Sequence, residues 1–126
     1  ETACILDYLT VPDAKMIEDR LFPFVERLQA AHDGKPLIFQ QTIYREGRNF
    51  SQSVEDKESA KQAMAEKLMK EAVKKYDDVY FIQTNATDEM HSTSVDGIHP
   101  SDYGYTLWAQ SIRKPILKIL KKYGIR

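Results

Sequence analysis

Pro36-Leu37-Ile38-Phe39-Gln40-Gln41-Thr42-Ile43 is the stretch whose reading decides the fold. A short, nearly continuous apolar run after a proline predicts a strand over residues 36–43, of the kind buried on both faces of a parallel sheet. Its polar residues Gln40, Gln41 and Thr42 collect at the C-terminal end, the edge at which such sheets bind ligands.

Helical patterns flank this strand on both sides. Upstream, Met16, Ile17, Leu21, Phe24, Val25 and Leu28 recur at helical spacing and predict a core-facing stripe. Pro12-Asp13 marks the entry turn with Asp13 as N-cap, Pro23 predicts a kink, and His32-Asp33-Gly34-Lys35-Pro36 stops the helix. His32 is read as a helix-end cation. Before that helix, residues 3–9 form a first apolar run and predict another strand, with Asp7 at its end in a structural role. Downstream, Tyr44 to Val54 show no periodicity, and two readings stay level: a substrate-lining loop at the ligand edge, or a mobile polar surface loop.

Glu55 to Tyr76 are rich in Ala, Lys, Glu and Met and predict a helix whose inward stripe is Ala60, Met64, Leu68, Ala72 and Val73. Val79-Tyr80-Phe81-Ile82 is the third strand candidate, and Gln83 to Asp88 lead away as loop, with His91 read as a surface histidine. A final helix follows Ser101, burying Leu107, Trp108, Ile112, Ile116, Ile119 and Leu120 and bent by Pro115. Three β-then-α units in succession predict parallel strands joined by right-handed crossovers. The fold class is therefore α/β, a three-layer, flavodoxin-like parallel sheet.

Composition narrows the function classes. The chain has 126 residues, 42% of them hydrophobic and 29% charged, with a formal net charge of −1. That suits one soluble α/β domain over residues 1–126 and shows no nucleic-acid footprint. The lysines around Lys67-Leu68-Met69-Lys70 and Lys121-Lys122 are read as solvated helix faces. A single cysteine, Cys4, excludes an internal disulfide and is read as a small buried side chain. No apolar run approaches the roughly 20 residues that span a bilayer, and no signal-peptide pattern is present. No metal or organic cofactor is expected, and no Gly-rich phosphate loop follows any strand.

The chemistry is concentrated in Asp96-Gly97-Ile98-His99-Pro100, followed at once by Ser101-Asp102-Tyr103-Gly104-Tyr105. A carboxylate beside an imidazole can accept its Nδ1–H, fix the tautomer and leave Nε2 to take a proton from a nucleophile. Gly97 lets the backbone turn between the two, Pro100 holds His99 out of helical geometry, and Ser101 stands at the N-cap of the last helix. The plain alternative is a capped loop whose Asp96 and His99 make structural hydrogen bonds.

This block resembles the last motif of the SGNH, or GDSL-type, hydrolases, in which an Asp-x-x-His-Pro segment supplies two members of a Ser-His-Asp triad. Ile5-Leu6-Asp7-Tyr8, the helix around Arg20-Leu21-Phe22-Pro23-Phe24-Val25, and Tyr44-Arg45-Glu46-Gly47 are similar to a carbohydrate-esterase-like branch of that superfamily. The resemblance implies catalytic roles for Asp96 and His99, an acyl-ester substrate that is a small molecule or a carbohydrate, and an extracytoplasmic compartment. It covers nearly all of this chain but only the last three βα units of the family's domain.

The family's other motifs have no counterpart here. No Gly-x-Ser occurs, and none of the seven serines stands at a strand-to-helix elbow. The family's oxyanion-hole Gly is absent, and its Asn would fall near Thr10 or Val11. One reading is therefore the C-terminal part of a serine esterase whose nucleophile lies upstream, inactive alone and associating with that missing part or with another copy. The other is a non-catalytic α/β binding or interaction module that keeps the fold and the Asp-x-x-His-Pro loop.

Overall fold

The structure, a computed structural model, describes residues 4–6, 13–41, 50–84 and 92–125. Six elements follow one another: β1 (Cys4–Leu6), α1 (Ala14–Ala31), β2 (Leu37–Gln40), α2 (Gln52–Lys75), β3 (Val79–Ile82) and α3 (Asp102–Lys122). Strand and helix alternate three times, as the hydrophobic periods predict. The readings of the Cys4 side chain, Asp7, Thr10, Val11, Tyr44 to Asn49, Asn85 to Asp88 and His91 lie outside the described residues.

The three strands form one parallel sheet in the order β1-β2-β3. Leu37 pairs with Cys4 on one side and Val79 on the other, which makes β2 the central strand. Successive parallel neighbours joined by right-handed crossovers place their helices on one face of the sheet. Accordingly, α1 and α2 share a core with Leu37, Phe39 and Val79, built around Ile17, Leu21, Val25, Ala65, Leu68, Met69 and Ala72. Ile38 and Ile82 point to the opposite face, where they meet Ile119 of α3. The period-2 alternation of a strand thus divides β2 between two cores, and the helices cover both faces.

Local chemistry explains where the elements begin and end. The Asp13 carboxylate accepts the Met16 N–H at 2.8 Å and caps α1 as predicted. At the other end Gly34 takes φ +67°, the left-handed turn that lets the chain reverse into β2. The helix runs through Pro23. Between α1 and α2, Tyr76 donates its hydroxyl hydrogen to Glu26 at 2.6 Å, and the Lys75 ammonium lies 4.8 Å from the Tyr76 ring.

Two expectations about packing are corrected. α2 begins at Gln52 rather than Glu55, and its buried stripe is Lys61, Ala65, Leu68, Met69 and Ala72. Ala60 and Val73 face out. The Ala- and Lys-rich composition leaves the apolar stripe weakly marked, so contact with α1 and the sheet decides the rotation. Met69 is placed fully inside by that rotation. Lys61 buries its alkyl stem while its ammonium pairs with Glu58 at 2.7 Å. In α3, Gly104 and Ile119 are buried, whereas Leu107, Trp108, Ile112, Ile116 and Leu120 are only half-buried.

The rotation of α2 can be checked by unfolding in urea. Met69→Ala should lower stability by about 2–5 kcal/mol through the cavity it leaves, whereas Val73→Ala on the outer side should stay within about 0.5 kcal/mol of the parent.

Candidate active site

The segment from Ser92 to Gly104 connects the C-terminal side of the sheet to α3 and holds itself in shape with its own hydrogen bonds. Asp96 Oδ1 accepts the N–H groups of Ile98 and His99 at 2.9 and 2.7 Å. This is the turn that an aspartate forms readily by bonding backbone two and three residues on. Gly97, at φ +81°, supplies the left-handed residue that the turn needs. Ser94 braces it from the other side: its hydroxyl accepts the Gly97 N–H at 2.7 Å and donates to the His99 carbonyl at 3.1 Å. The Val95 N–H also reaches the His99 carbonyl, at 3.0 Å, and Ser94 bridges to Pro100 in antiparallel fashion.

The second carboxylate oxygen meets the imidazole. Asp96 Oδ2 lies 2.6 Å from His99 Nδ1. An ionised carboxylate only accepts, so the ring proton sits on Nδ1 and Nε2 carries the lone pair. His99 is 71% exposed and Asp96 48% exposed in their side chains, so the pair stands at the surface. The carboxylate is held down at about pKa 2, first by the His99 backbone N–H, then by the His99 ring, then by the Ile98 N–H. It therefore stays ionised down to strongly acidic pH.

The turn is seated on α3 by its cap. The Ser101 hydroxyl accepts the Gly104 N–H at 3.1 Å, as the N-cap prediction requires, and donates to the Ser92 carbonyl at 2.7 Å. The Ser101 N–H bonds the Thr93 carbonyl at 2.9 Å. Thr93 is 3% exposed, and a Cβ on Gly104 would stand 2.1 Å from its carbonyl oxygen. Gly104 is therefore obligatory where helix and turn touch. The sequence carried a signal for it, since glycine early in a helix costs stability and marks a close approach. Nothing in the sequence marked Ser94 as the brace.

The remaining serines do other work. Ser51 stands at the N-cap position of α2 with its hydroxyl 3.2 Å from that of Ser53, Ser59 donates to Glu55, and Ser111 bonds the Trp108 carbonyl. At the C-terminal end of β2, Gln40 is buried at 8% exposure, and its Oε1 has no hydrogen-bond partner among the described residues. Among the described residues no group of three or more His, Cys, Asp or Glu side chains could hold a metal ion, and no helix is long and apolar enough to cross a membrane.

A parallel α/β sheet here carries a preformed acid–imidazole pair just before its last helix. Comparison with known proteins identifies the family. The GDSL-like lipase/acylhydrolase family matches residues 2–118, and the chain belongs to that family. It superposes on the crystal structure of a protein from Bacteroides ovatus ATCC 8483 assigned as a GDSL-like lipase, with a TM-score of 0.82 and 34% sequence identity. The match covers 95% of this chain and 36% of that one, so the chain spans about a third of its neighbour's length. No curated protein matches it.

Two outcomes follow from the geometry. Gly104→Ala should destabilise the protein by about 1–3 kcal/mol, the usual cost of overpacking, with the largest loss of amide protection at Ser101 and residue 104 in hydrogen exchange. The second concerns pH. Because the folded carboxyl of Asp96 lies below its unfolded value, its contribution is complete above about pH 4 and fades as pH falls toward about 2. An Asp96→Asn variant should therefore show a flatter stability profile between those limits, measured by thermal unfolding at each pH.

Proposed function

We propose that this chain is the C-terminal part of an SGNH-type serine esterase, in which His99 is the general base and Asp96 its positioning carboxylate. The observation that carries the reading is the 2.6 Å contact of Asp96 Oδ2 with His99 Nδ1, which leaves the basic Nε2 toward solvent. Family membership supports an acyl-ester substrate. In the proposed reaction a serine hydroxyl, its proton passing to His99 Nε2, attacks the ester carbonyl. The imidazolium then protonates the leaving alcohol, and an acyl-enzyme remains. Water repeats the sequence in reverse roles and releases the acid.

The nucleophilic serine is proposed to lie outside these 126 residues. Every serine here sits in a helix, at a helix cap or in the short segment leading into Asp96, and none directly follows a strand. The architecture is read as the last three βα units of a three-layer, flavodoxin-like domain, supported by the helices on both faces of the sheet. The resemblance to a carbohydrate-esterase-like branch, carried by Ile5-Leu6-Asp7-Tyr8, the helix around Arg20 to Val25 and Tyr44-Arg45-Glu46-Gly47 together, favours an acetyl ester on a sugar as substrate. No cofactor takes part in the scheme.

The test is covalent labelling of the natural gene product by a fluorophosphonate, alongside hydrolysis of p-nitrophenyl acetate. Labelling of one serine, with kcat falling by about 10⁴ in Asp96→Asn and further in His99→Ala, is the expected result. If the natural protein takes no label, or if His99→Ala stays within a few-fold of the parent rate, the esterase reading fails. A binding module that retains the fold takes its place.

A further inference from the structure

Among the described residues β3 closes the sheet, and no strand pairs with its outer edge. Its pairing with β2 is bounded by two bonds, from the Leu37 N–H to the Asp78 carbonyl and from the Gln41 N–H to the Ile82 carbonyl, both 2.8 Å. Alternate residues of a parallel strand turn their main-chain groups to opposite sides, so those of Val79 and Phe81 point away from β2. Val79-Tyr80-Phe81-Ile82 contains no proline and no charge, and lacks those two common means by which edge strands are blunted.

An open groove of about 460 Å³ follows this edge. Val73 of α2 contributes to it from one face of the sheet, and Pro115 and Ile119 of α3 from the other. The groove therefore straddles the edge, and an extended chain lying along β3 is the shape that touches both walls. Lys118 and Lys122 line the groove, and among the described residues no carboxylate does. The Lys122 ammonium rests 5.2 Å from the Tyr80 ring. Among the described residues neither lysine has an acidic partner.

We propose that the outer edge of β3 is a strand-addition site for an extended peptide segment of another protein, one that alternates apolar and acidic side chains. Its backbone pairs with Val79 and Phe81, its apolar side chains enter the groove, and its carboxylates face Lys118 and Lys122. Charge argues against a second copy in this place. Two-fold pairing of β3 with itself would bring the lysines of both copies onto one groove, where like charges repel. The site uses no residue of the Asp96–His99 turn, so it stands or falls apart from the esterase reading.

Fluorescence anisotropy with a fluorescein-labelled peptide of about eight residues, alternating valine and glutamate, tests it. The protein should bind this peptide, more weakly as salt rises. A Lys118→Glu, Lys122→Glu double variant with an unchanged circular dichroism spectrum should bind at least about tenfold more weakly, as loss of two close charge pairs requires. The same peptide N-methylated on alternate backbone nitrogens should not bind. No binding up to millimolar protein, equal binding of a valine–lysine peptide, or retained binding of the N-methylated peptide would overturn the proposal. So would a dimer, seen in sedimentation velocity, that the acidic peptide dissociates.

Discussion

The two-sided burial of β2 is the constraint on which the rest of the structure depends. Leu37 and Ile38 are both fully buried, and their side chains leave the strand in opposite directions. One half of the strand requires α1 and α2, and the other requires α3. A strand that is apolar on both faces cannot be satisfied by a hairpin with one wet side, so helices must cover both. That requirement returns the chain across the sheet after each strand and leaves the C-terminal ends of all three strands on one edge. The turn that carries Asp96 and His99 follows the last of those strands.

The site itself owes less to the core than to its own short-range bonding. Asp96 receives two backbone N–H groups on one oxygen and the imidazole on the other. A carboxylate so occupied is acidic without being buried, and it fixes the ring through contacts no more than three residues away. What the wider fold adds is placement. The approach of Gly104 to Thr93 and the double use of the Ser101 hydroxyl seat the turn on the end of α3. The turn therefore moves with the helix, and Ile119, on the same helix, anchors it to the sheet.

Much of this was legible before any coordinates. The alternation of strand and helix, the Asp13 and Ser101 caps, the left-handed Gly34 and Gly97, and the pairing of Asp96 with His99 all rest on interactions within about four residues, which local sequence encodes directly. The boundaries of β3 agree with its apolar run to the residue. Strand β2 begins at Leu37 rather than Pro36 and ends at Gln40, where its register with β3 ends at Ile82.

By itself, then, the sequence determined the order and kind of the elements, the chemistry of the Asp96-Gly97-Ile98-His99-Pro100 turn, and the family to which the chain belongs. The tertiary structure alone decided which way α2 faces, since a helix rich in alanine and lysine offers several near-equal stripes and only packing against α1 and the sheet selects Lys61, Ala65, Leu68, Met69 and Ala72. It alone showed that most of the apolar residues of α3 remain half-covered, because burial depends on what lies opposite a side chain and not on its own character. It also decided that β3 is the last strand of the sheet among the described residues, for an edge exists only once strand order is set, and strand order is a relation between segments distant in the chain.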